Sequence, residues 1–238
     1  MITISNTEVV GWEHAIRGMR NPMNSWEKSD SRYHNDPIYD DENPLLIHDN
    51  PIFNVGSNDQ ELMKCLRRSG TDHRKFMRMI VVYLDITAPL YWWKEFDTYK
   101  VGTVANSCST MHKIHAKEFT REDFSSEHIM CLCEKETPVV YHPSGNTALA
   151  PIDVLDITIM MLNKARDLYL QTKDKQYRWQ MIQLLPSSYN QKRTVMLNYE
   201  VLANMFAARC NHKLDEWKTL CEWMRTLPYS ELITGEER

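Results

Sequence analysis

The sequence lacks the features by which membrane proteins and secreted proteins are recognised. It has no apolar run as long as the roughly 18 residues that a membrane-spanning helix needs. Its first residues, MITIS, carry neither a basic flank nor an apolar core of the kind found in signal peptides. We therefore expect a cytoplasmic protein with no membrane partner.

Paired cysteines are missing as well. The six cysteines are scattered, and none belongs to a C-x-x-C pair that would bind zinc or carry redox chemistry. Three histidines, His112, His115 and His128, could bind a metal together, but exposed and unrelated histidines are the simpler interpretation. The sequence thus predicts reduced thiols and no metal site.

The chain also has no internal repeat, low-complexity tract or Pro/Gly linker. Its 238 residues, of which 42% are hydrophobic and 25% charged, suffice for one globular domain with a substantial core. A single domain over residues 1–238 is predicted. The net charge of -4 gives no broad attraction to nucleic acid, which argues against a polymeric partner. A local basic pocket for a small phosphate is still compatible with this net charge.

Residues 30–58 are the least regular part of the chain. They contain Pro37, Pro44 and Pro51 together with the acidic run 40–42. This composition predicts a long surface excursion, for which a solvated loop is favoured over a lid or a subunit arm.

Hydrophobic patterns predict the elements in the first half of the chain. Asn58 and Asp59 are good caps for a helix that Ser69-Gly70 would end. Branched and aromatic residues fill the short run Met77–Ile86, which predicts a strand. A proline, tolerated in a first helical turn, opens a helix over Leu90–Phe96, whose aromatic side chains are expected to pack in a core or between subunits.

The second half is predicted to be mainly helical. After Pro151, Leu155, Ile159 and Leu162 recur at helical spacing and would line one buried face. Shorter helices are predicted over Gln176–Leu185, Thr194–Arg209 and Leu214–Leu227. Strands that precede helices without a regular βαβ alternation indicate an α+β fold with a helical C-terminal half.

Three blocks of the sequence, in a fixed order, cover roughly residues 58–227. In the first, the helix that ends at Gly70 leads through Thr71-Asp72-His73 into the predicted strand. The second runs from Ala88-Pro89 to Lys113-Ile114. In the third, Leu185-Pro186 is followed by the segment 198–209, NYEVLANMFAAR. The order and internal spacing of these blocks resemble the flavin-dependent thymidylate synthases of the ThyX family.

The first and third blocks keep several of the family's site residues. His73 falls on the family's histidine near the flavin. The segment 198–209 is similar to the family's N-x-R-x-L-x-N-F-x-x-L-R helix, which implies that Asn198 and Asn204 bind the flavin and Arg209 the pyrimidine nucleotide. The family's arginine four positions before the proline is absent, since Ile182 stands there.

The second block departs from the family's Q-x-x-R-H-R-x-x-S-x-N-E-x-S-x-R-Y signature. Aligned without a gap, residues 98–100 replace Arg-His-Arg, and Asn106 falls in the Asn-Glu pair. Glu95 replaces the glutamine, Cys108 the second serine and Thr110 the last arginine. The resemblance implies cofactor binding by Thr98, Lys100 and Asn106, and substrate binding by Glu95, Cys108 and Thr110.

The family's chemistry is carried mainly by its cofactors. A reduced flavin passes hydride, and methylenetetrahydrofolate donates one carbon to the uracil ring of dUMP. The resemblance therefore implies FAD as cofactor, NADPH and methylenetetrahydrofolate as co-substrates, and a pyrimidine nucleotide such as dUMP as substrate. It also implies a ThyX-like fold, an antiparallel sheet with flanking helices, assembled as a homotetramer that serves nucleotide biosynthesis as a methyltransferase.

The altered signature bears directly on phosphate binding. A guanidinium binds phosphate through two hydrogen bonds, whereas lysine offers a point charge and threonine no charge. Losing two or three such contacts, each worth about 1.5–3 kcal/mol, would weaken nucleotide affinity by several orders of magnitude. The basic residues that could compensate are Arg17, Arg20, Arg67, Arg68, Lys113, Lys192 and Arg193. For each of them a solvated surface charge is the simpler interpretation.

Two alternatives to an enzyme stay open. The chain could be a catalytically inactive ThyX-fold homo-oligomer with a nucleotide-binding, regulatory or interaction role, or it could be an unrelated α+β interaction module. Asn198 and Arg209 share a helical face, and Asn204 is rotated from them by roughly 120°, but asparagines also cap or cross-link helices. Cys108 could add to a uracil-like ring as a nucleophile, although a small buried packing residue is commoner.

Overall fold

The computed structural model describes residues 2–34, 52–131, 140–141 and 148–236. Its helices are α1 (Trp12–Arg20), α2 (Ser57–Arg68), α3 (Leu90–Phe96), α4 (Pro151–Thr172), α5 (Lys175–Leu184), α6 (Tyr199–Arg209), α7 (Asp215–Thr226) and α8 (Glu231–Thr234). Short 3-10 helices cover Asn21–Met23, Trp26–Lys28, Arg74–Met79 and Arg121–Asp123. In the described part of the chain, no helix combines the length and apolarity needed to cross a bilayer.

The strands form one four-stranded sheet and two short ribbons. The strands are β1 (Thr3–Val10), β2 (Arg32–His34), β3 (Ile52–Asn54), β4 (Val81–Pro89), β5 (Val104–Ser107), β6 (Val140–Tyr141), β7 (Ala148–Leu149) and β8 (Asn190–Asn198). The order in the main sheet is β1-β4-β8-β5, while β2–β3 and β6–β7 pair antiparallel. Helices and antiparallel sheet are thus mixed, which confirms the predicted α+β class.

The chain divides into two compact units. The first contains Met1–Ser5, Asp85–Thr98 and Ala105–Thr194, and the second contains Asn6–Leu84, Tyr99–Val104 and Val195–Arg238. Each unit has buried apolar residues of its own. The prediction of a single domain over residues 1–238 stays a prediction.

The first unit is built around α4 and α5. Leu155, Ile159 and Leu162 are buried on one face of α4, as predicted, and pack with Phe119 and Met181. The aromatic helix α3 also follows its prediction, because Trp92, Trp93 and Phe96 are buried.

The second unit is built around α6. This helix packs against α7, α8 and the 3-10 helix Arg74–Met79. Tyr199, Leu202 and Met205 are buried along α6, and Trp217 of α7 is fully buried. Because α6 is buried on several sides, the polar groups that it buries, such as Glu200, must be paired.

Two of the predicted elements begin at different residues. The strand expected over Met77–Ile86 starts only at Val81, since the preceding apolar residues belong to the buried 3-10 helix. The helix expected over Thr194–Arg209 starts at Tyr199, because the preceding residues form β8. In β8, burial recurs with the period of two that is typical of a strand. β1 and α1 were not predicted.

The irregular segment 30–58 is paired at its described ends. β2 and β3 lie antiparallel, with Tyr33 opposite Phe53, and the surface excursion over residues 30–58 stays a prediction. The three prolines and the acidic run lie outside the described residues.

The start of α2 differs from its prediction. The carboxylate of Asp30 accepts hydrogen bonds from the backbone N–H groups of Asn58 (2.9 Å) and Asp59 (3.1 Å) and caps the helix from outside. Asp59 is fully buried, where it accepts from Arg20 Nε at 2.6 Å and from two serine hydroxyls. Asp59 is therefore a core ion-pair residue in the first turn of α2, which begins at Ser57.

Candidate functional site

The ten predicted site residues are divided equally between the two units. Glu95, Thr98, Asn106, Cys108 and Thr110 belong to the first, and His73, Lys100, Asn198, Asn204 and Arg209 to the second.

In the first unit, Glu95 and Thr98 lie at the end of α3. The Thr98 hydroxyl donates to the carbonyl oxygen of Glu95 at 2.7 Å, and the Thr98 N–H donates to the same oxygen at 3.1 Å. Thr98 is exposed, and so is Asn106 on β5. The Thr98 hydroxyl therefore closes a helix end and carries no charge toward a ligand.

Cys108 and Thr110 line one cavity of about 510 Å³ in the first unit. Its other polar lining residues are Thr87, Ser109, Lys113, Lys117, Glu122, Asp123, Tyr189, Asn190, Gln191 and Lys192. Cys108 is an exposed free thiol. The expectation of a buried packing cysteine is therefore wrong.

The backbone at Cys108 is held in place by β8. The Cys108 N–H donates to the carbonyl of Lys192 at 2.9 Å, and the side-chain amide of Gln191 donates to the Cys108 carbonyl at 2.8 Å. Gln191 is itself buried and accepts from Arg193 Nε at 3.0 Å. The thiol thus projects from a main chain fixed on both sides.

Three lysines and two carboxylates, those of Glu122 and Asp123, line the cavity. Lys117 is paired with Asp123, and Lys192 lies 2.9 Å from Asp85. Hydrogen bonds to these carboxylates raise the pKa of both lysines, so both stay protonated at neutral pH. Within the described ranges Lys113 forms no ion pair, which leaves its charge available to an anion.

The compensating residues considered from the sequence now differ in their surroundings. Lys113 and Lys192 line the cavity, whereas Arg20 is buried with Asp59. Arg193 stacks 4.1 Å from the ring centroid of Trp93 and pairs with Asp97 at 2.8 Å.

A second cavity, of about 550 Å³, lies in the other unit beside α2. Lys64, Arg67 and Arg68 line it, but so do three glutamates. Acidic and basic groups therefore balance here, and this cavity favours an anion less than the first one does.

The asparagines of α6 already have protein partners. Asn198 caps the helix, because its Oδ1 accepts from the Val201 N–H at 3.0 Å. Asn204 is exposed, and its Oδ1 accepts from Arg74 Nη2 at 2.8 Å. In both amides the oxygen is used and, among the described residues, the Nδ2 group donates no hydrogen bond.

An ion-pair network beside Asn204 was not predicted from the sequence. Glu200 accepts from Arg78 through both oxygens, and Arg74 Nε lies 3.5 Å from Glu200 Oε1. Two features of the sequence could have indicated this network. Glu200 and Asn204 have the i, i+4 spacing of one helix face, and Arg74 directly follows His73. The network fixes the arginine that binds Asn204.

Arg209 is held by two aromatic residues. Its Nε donates to the hydroxyl of Tyr99 at 3.1 Å, and its guanidinium lies 4.7 Å from the ring centroid of Trp217. Tyr99 stands in the altered signature, next to the exposed Lys100.

His73 lies in the exposed turn that precedes the 3-10 helix. The second unit thus places three predicted residues, Asn198, Asn204 and Arg209, on or at the cap of one helix. Among the described residues, no group of three His, Cys, Asp or Glu side chains could hold a metal ion.

Comparison with known proteins identifies the fold. No protein-family model matches the sequence, and no curated protein matches it. A ThyX flavin-dependent thymidylate synthase from Helicobacter pylori, solved with FAD and dUMP, is similar in structure, with a TM-score of 0.61 and 16% identity over 99% of this chain and 97% of its own. The UMP/dUMP methylase PolB from Streptomyces cacaoi, bound with 5-Br UMP, has a TM-score of 0.57 and 12% identity over 99% of this chain and 94% of its own. The chain therefore has a ThyX-like fold along nearly its whole length.

Proposed function

We propose that this protein binds a pyrimidine nucleotide, dUMP or a relative, together with FAD, and transfers one carbon to the uracil ring. It would be a divergent thymidylate synthase-like methyltransferase, with NADPH and methylenetetrahydrofolate as co-substrates. The observation that carries the proposal is the cavity of the first unit, since Cys108 and Thr110 line it at the positions where the resemblance expects substrate contacts. Structures with this fold bind dUMP or UMP analogues.

The cavity offers the chemistry that a nucleotide monophosphate requires. Lys113 would bind the phosphate, while the charges of Lys117 and Lys192 are balanced by Asp123 and Asp85. Thr110 and Tyr189 provide hydroxyl groups for the polar edge of a pyrimidine. Three lysines in place of guanidinium forks make the phosphate site weaker than one built from arginines.

The second unit provides donors that fit a flavin ring. The Nδ2 groups of Asn198 and Asn204 are suited to the carbonyl and nitrogen acceptors of that ring. Lys100 remains as a point charge for the diphosphate of FAD. FAD would therefore bind more weakly than it would to a protein with Arg-His-Arg at these three positions. When bound, FAD would supply the hydride, and the protein's own residues would orient the rings and neutralise the phosphates.

A homotetramer is part of the proposal. On α4, Val154, Ile157, Met160 and Met161 are exposed, with Met160 60% accessible. Apolar groups concentrated on one helix face are typical of a surface buried between subunits.

Alkylation of Cys108 tests the nucleotide site. Iodoacetamide should modify Cys108, and saturating dUMP should slow that modification, since the thiol lines the proposed pocket. Cys65 is an exposed free cysteine of the second unit and serves as a control in the same molecule. Cys65 should be modified at the same rate with and without dUMP. If dUMP leaves the rate of Cys108 modification unchanged as well, the proposal is contradicted.

A charge variant measures the same site independently. Lys113→Gln should weaken dUMP binding by roughly 10- to 150-fold, because a hydrogen bond to a charged group is worth about 1.5–3 kcal/mol. Lys94→Gln removes an exposed lysine elsewhere in the unit and should leave the dissociation constant unchanged. Calorimetry gives both values.

A catalytically inactive scaffold is the second candidate. It is favoured by the fact that Asn198, Asn204 and Arg209 all have partners within the chain. The absorbance spectrum of the purified protein, before and after addition of FAD, separates the two candidates. Absence of bound flavin at any FAD concentration would favour the scaffold.

A further inference from the structure

Cys108 lies one residue beyond the end of β5, where the main chain leaves the four-stranded sheet and reaches the cavity of the first unit. Its N–H donates to the carbonyl of Lys192 at 2.9 Å. Its carbonyl accepts from the side-chain amide of Gln191 at 2.8 Å, and no other donor among the described residues bonds to this oxygen. A side chain therefore provides the partner that a neighbouring strand provides within the sheet.

The side-chain amide of Gln191 is held in one orientation. Its Oε1 accepts from Arg193 Nε at 3.0 Å, and a guanidinium can only donate hydrogen bonds. The Nε2 group must therefore face the Cys108 carbonyl. Gln191 is only 7% exposed, and a buried amide is tolerated only where its polar atoms are hydrogen bonded.

Arg193 is itself fixed by two contacts. Its guanidinium stacks on Trp93, 4.1 Å from the ring centroid, and its Nη1 donates to Asp97 Oδ1 at 2.8 Å. The indole N–H of Trp93 donates in turn to the backbone carbonyl of Gln191 at 2.9 Å. Because Trp93 is fully buried in α3, the contacts that lead to Cys108 start from a closely packed part of the first unit.

The bonded carbonyl belongs to the peptide group that joins Cys108 to Ser109, and both of these residues line the cavity. Because a peptide group is planar, fixing it limits the positions of the Cys108 thiol on one side and of Ser109 on the other. Ser109 Oγ accepts in turn from the N–H groups of Met111 (3.2 Å) and His112 (2.9 Å). The order that Gln191 imposes therefore continues into the next residues of the loop.

We propose that Gln191 is a positioning residue of the nucleotide site. It holds the peptide group between Cys108 and Ser109 so that the Cys108 thiol faces a bound pyrimidine nucleotide, and Arg193 acts one step further away by holding the Gln191 amide. Gln191 contacts no ligand in this role, because its Oε1 and its Nε2 are both bonded within the chain. The inference rests on the proposed function, which assigns this cavity to the nucleotide.

Two variants of Gln191 test this role in the full chain. Gln191→Glu keeps an acceptor for Arg193 and removes the donor to Cys108, whereas Gln191→Met has a similar size and adds no charge. Gln171→Glu, the same change at an exposed glutamine of α4, is the control. Hydrogen exchange of the Cys108 amide, measured by NMR without nucleotide, should be roughly 3- to 10-fold faster in both Gln191 variants, the value of one hydrogen bond.

Protection of Cys108 by dUMP separates positioning from a purely structural role. Saturating dUMP should slow the iodoacetamide modification of Cys108 in the parent protein and in Gln171→Glu. In both Gln191 variants this protection factor should fall by at least half, even at dUMP concentrations that compensate for a weaker affinity. A purely structural role would lower Tm and leave the protection factor at its parent value.

Failure of this inference and failure of the proposed function give different results. An unchanged protection factor in the Gln191 variants, or unchanged exchange of the Cys108 amide, overturns the positioning role and leaves the nucleotide site intact. Absence of dUMP protection in the parent protein contradicts the nucleotide site and, with it, the role of Gln191. If Gln191→Met fails to fold, Gln191→Glu decides, because its carboxylate still pairs with Arg193.

Discussion

Replacing Asn198 by alanine removes two different groups, and the structure assigns a separate consequence to each. The Oδ1 atom accepts the Val201 N–H at 3.0 Å and so caps α6. The Nδ2 group makes no hydrogen bond within the described residues and is the group that we propose binds a flavin. Loss of a helix cap costs about 1 kcal/mol, which for a chain of this size lowers Tm by roughly 2–4 °C.

Aspartate at the same position separates these two effects. Asn198→Asp keeps the cap oxygen, and its negative charge at a helix N-terminus is favourable. It removes the N–H donor. We therefore expect Asn198→Ala to lose both stability and FAD affinity, whereas Asn198→Asp should keep the stability and lose the affinity.

The assays are thermal unfolding and quenching of flavin fluorescence on binding. FAD affinity should fall by roughly 5- to 10-fold in both variants, the value of one hydrogen bond of about 1–1.5 kcal/mol. Equal FAD affinity in Asn198→Asp and the parent protein would refute the donor role. An unchanged Tm in Asn198→Ala would refute the cap.

The remaining predictions concern charge and assembly. Thr98→Arg and Thr110→Arg restore signature guanidinium groups and should tighten FAD or dUMP binding in calorimetry, and no change in either constant would mean that the gapless alignment is wrong. Arg209→Ala should weaken dUMP binding by about 1.5–3 kcal/mol if Arg209 contacts the nucleotide, whereas loss of stability alone would mark it as a packing residue beside Trp217. Sedimentation should give a tetramer that Ile157→Glu dissociates, and a compact monomer of the parent protein at micromolar concentration would contradict this.

Helices with a clear apolar period were predictable from the sequence. The spacing of Leu155, Ile159 and Leu162 gave α4 its buried face, and α3 has the predicted bounds. β8 was missed because it joins directly onto α6, so an apolar run of two different periods was taken for one helix. The change occurs at Asn198, whose cap could have marked it.

The partners of long-range polar groups were not predictable. Asp59 looks like a cap beside Asn58, yet it is neutralised by Arg20, which lies 39 positions away in the sequence. Likewise Arg209 donates a hydrogen bond to Tyr99, which lies 110 positions away in the sequence. Local patterns cannot show such pairings, because they depend on how elements pack.

Cys108 and Thr110 were assigned to a substrate site by the fixed spacing of the alignment, and that assignment stays a prediction. Both residues line the same cavity. One of the lysines that line this cavity, Lys192, lies on β8, the strand that was missed. Sequence reasoning considered Lys192 as a compensating charge but could not place it beside Cys108.

The orientation of the side-chain amides of Asn198 and Asn204 helps to distinguish an enzyme from an inactive scaffold. In Asn198 and Asn204 the oxygen faces a protein donor, the Val201 N–H in one case and the Arg74 guanidinium in the other. These donors fix the amide orientation and leave each Nδ2 group without an acceptor among the described residues. A residue needed only to accept those bonds could be aspartate, which also caps helices and pairs with arginine more strongly. The amide adds a donor that neither structural role uses. A pyrimidine or flavin edge contains acceptors that such a donor can bind, which favours a ligand over packing as the reason for asparagine at both positions.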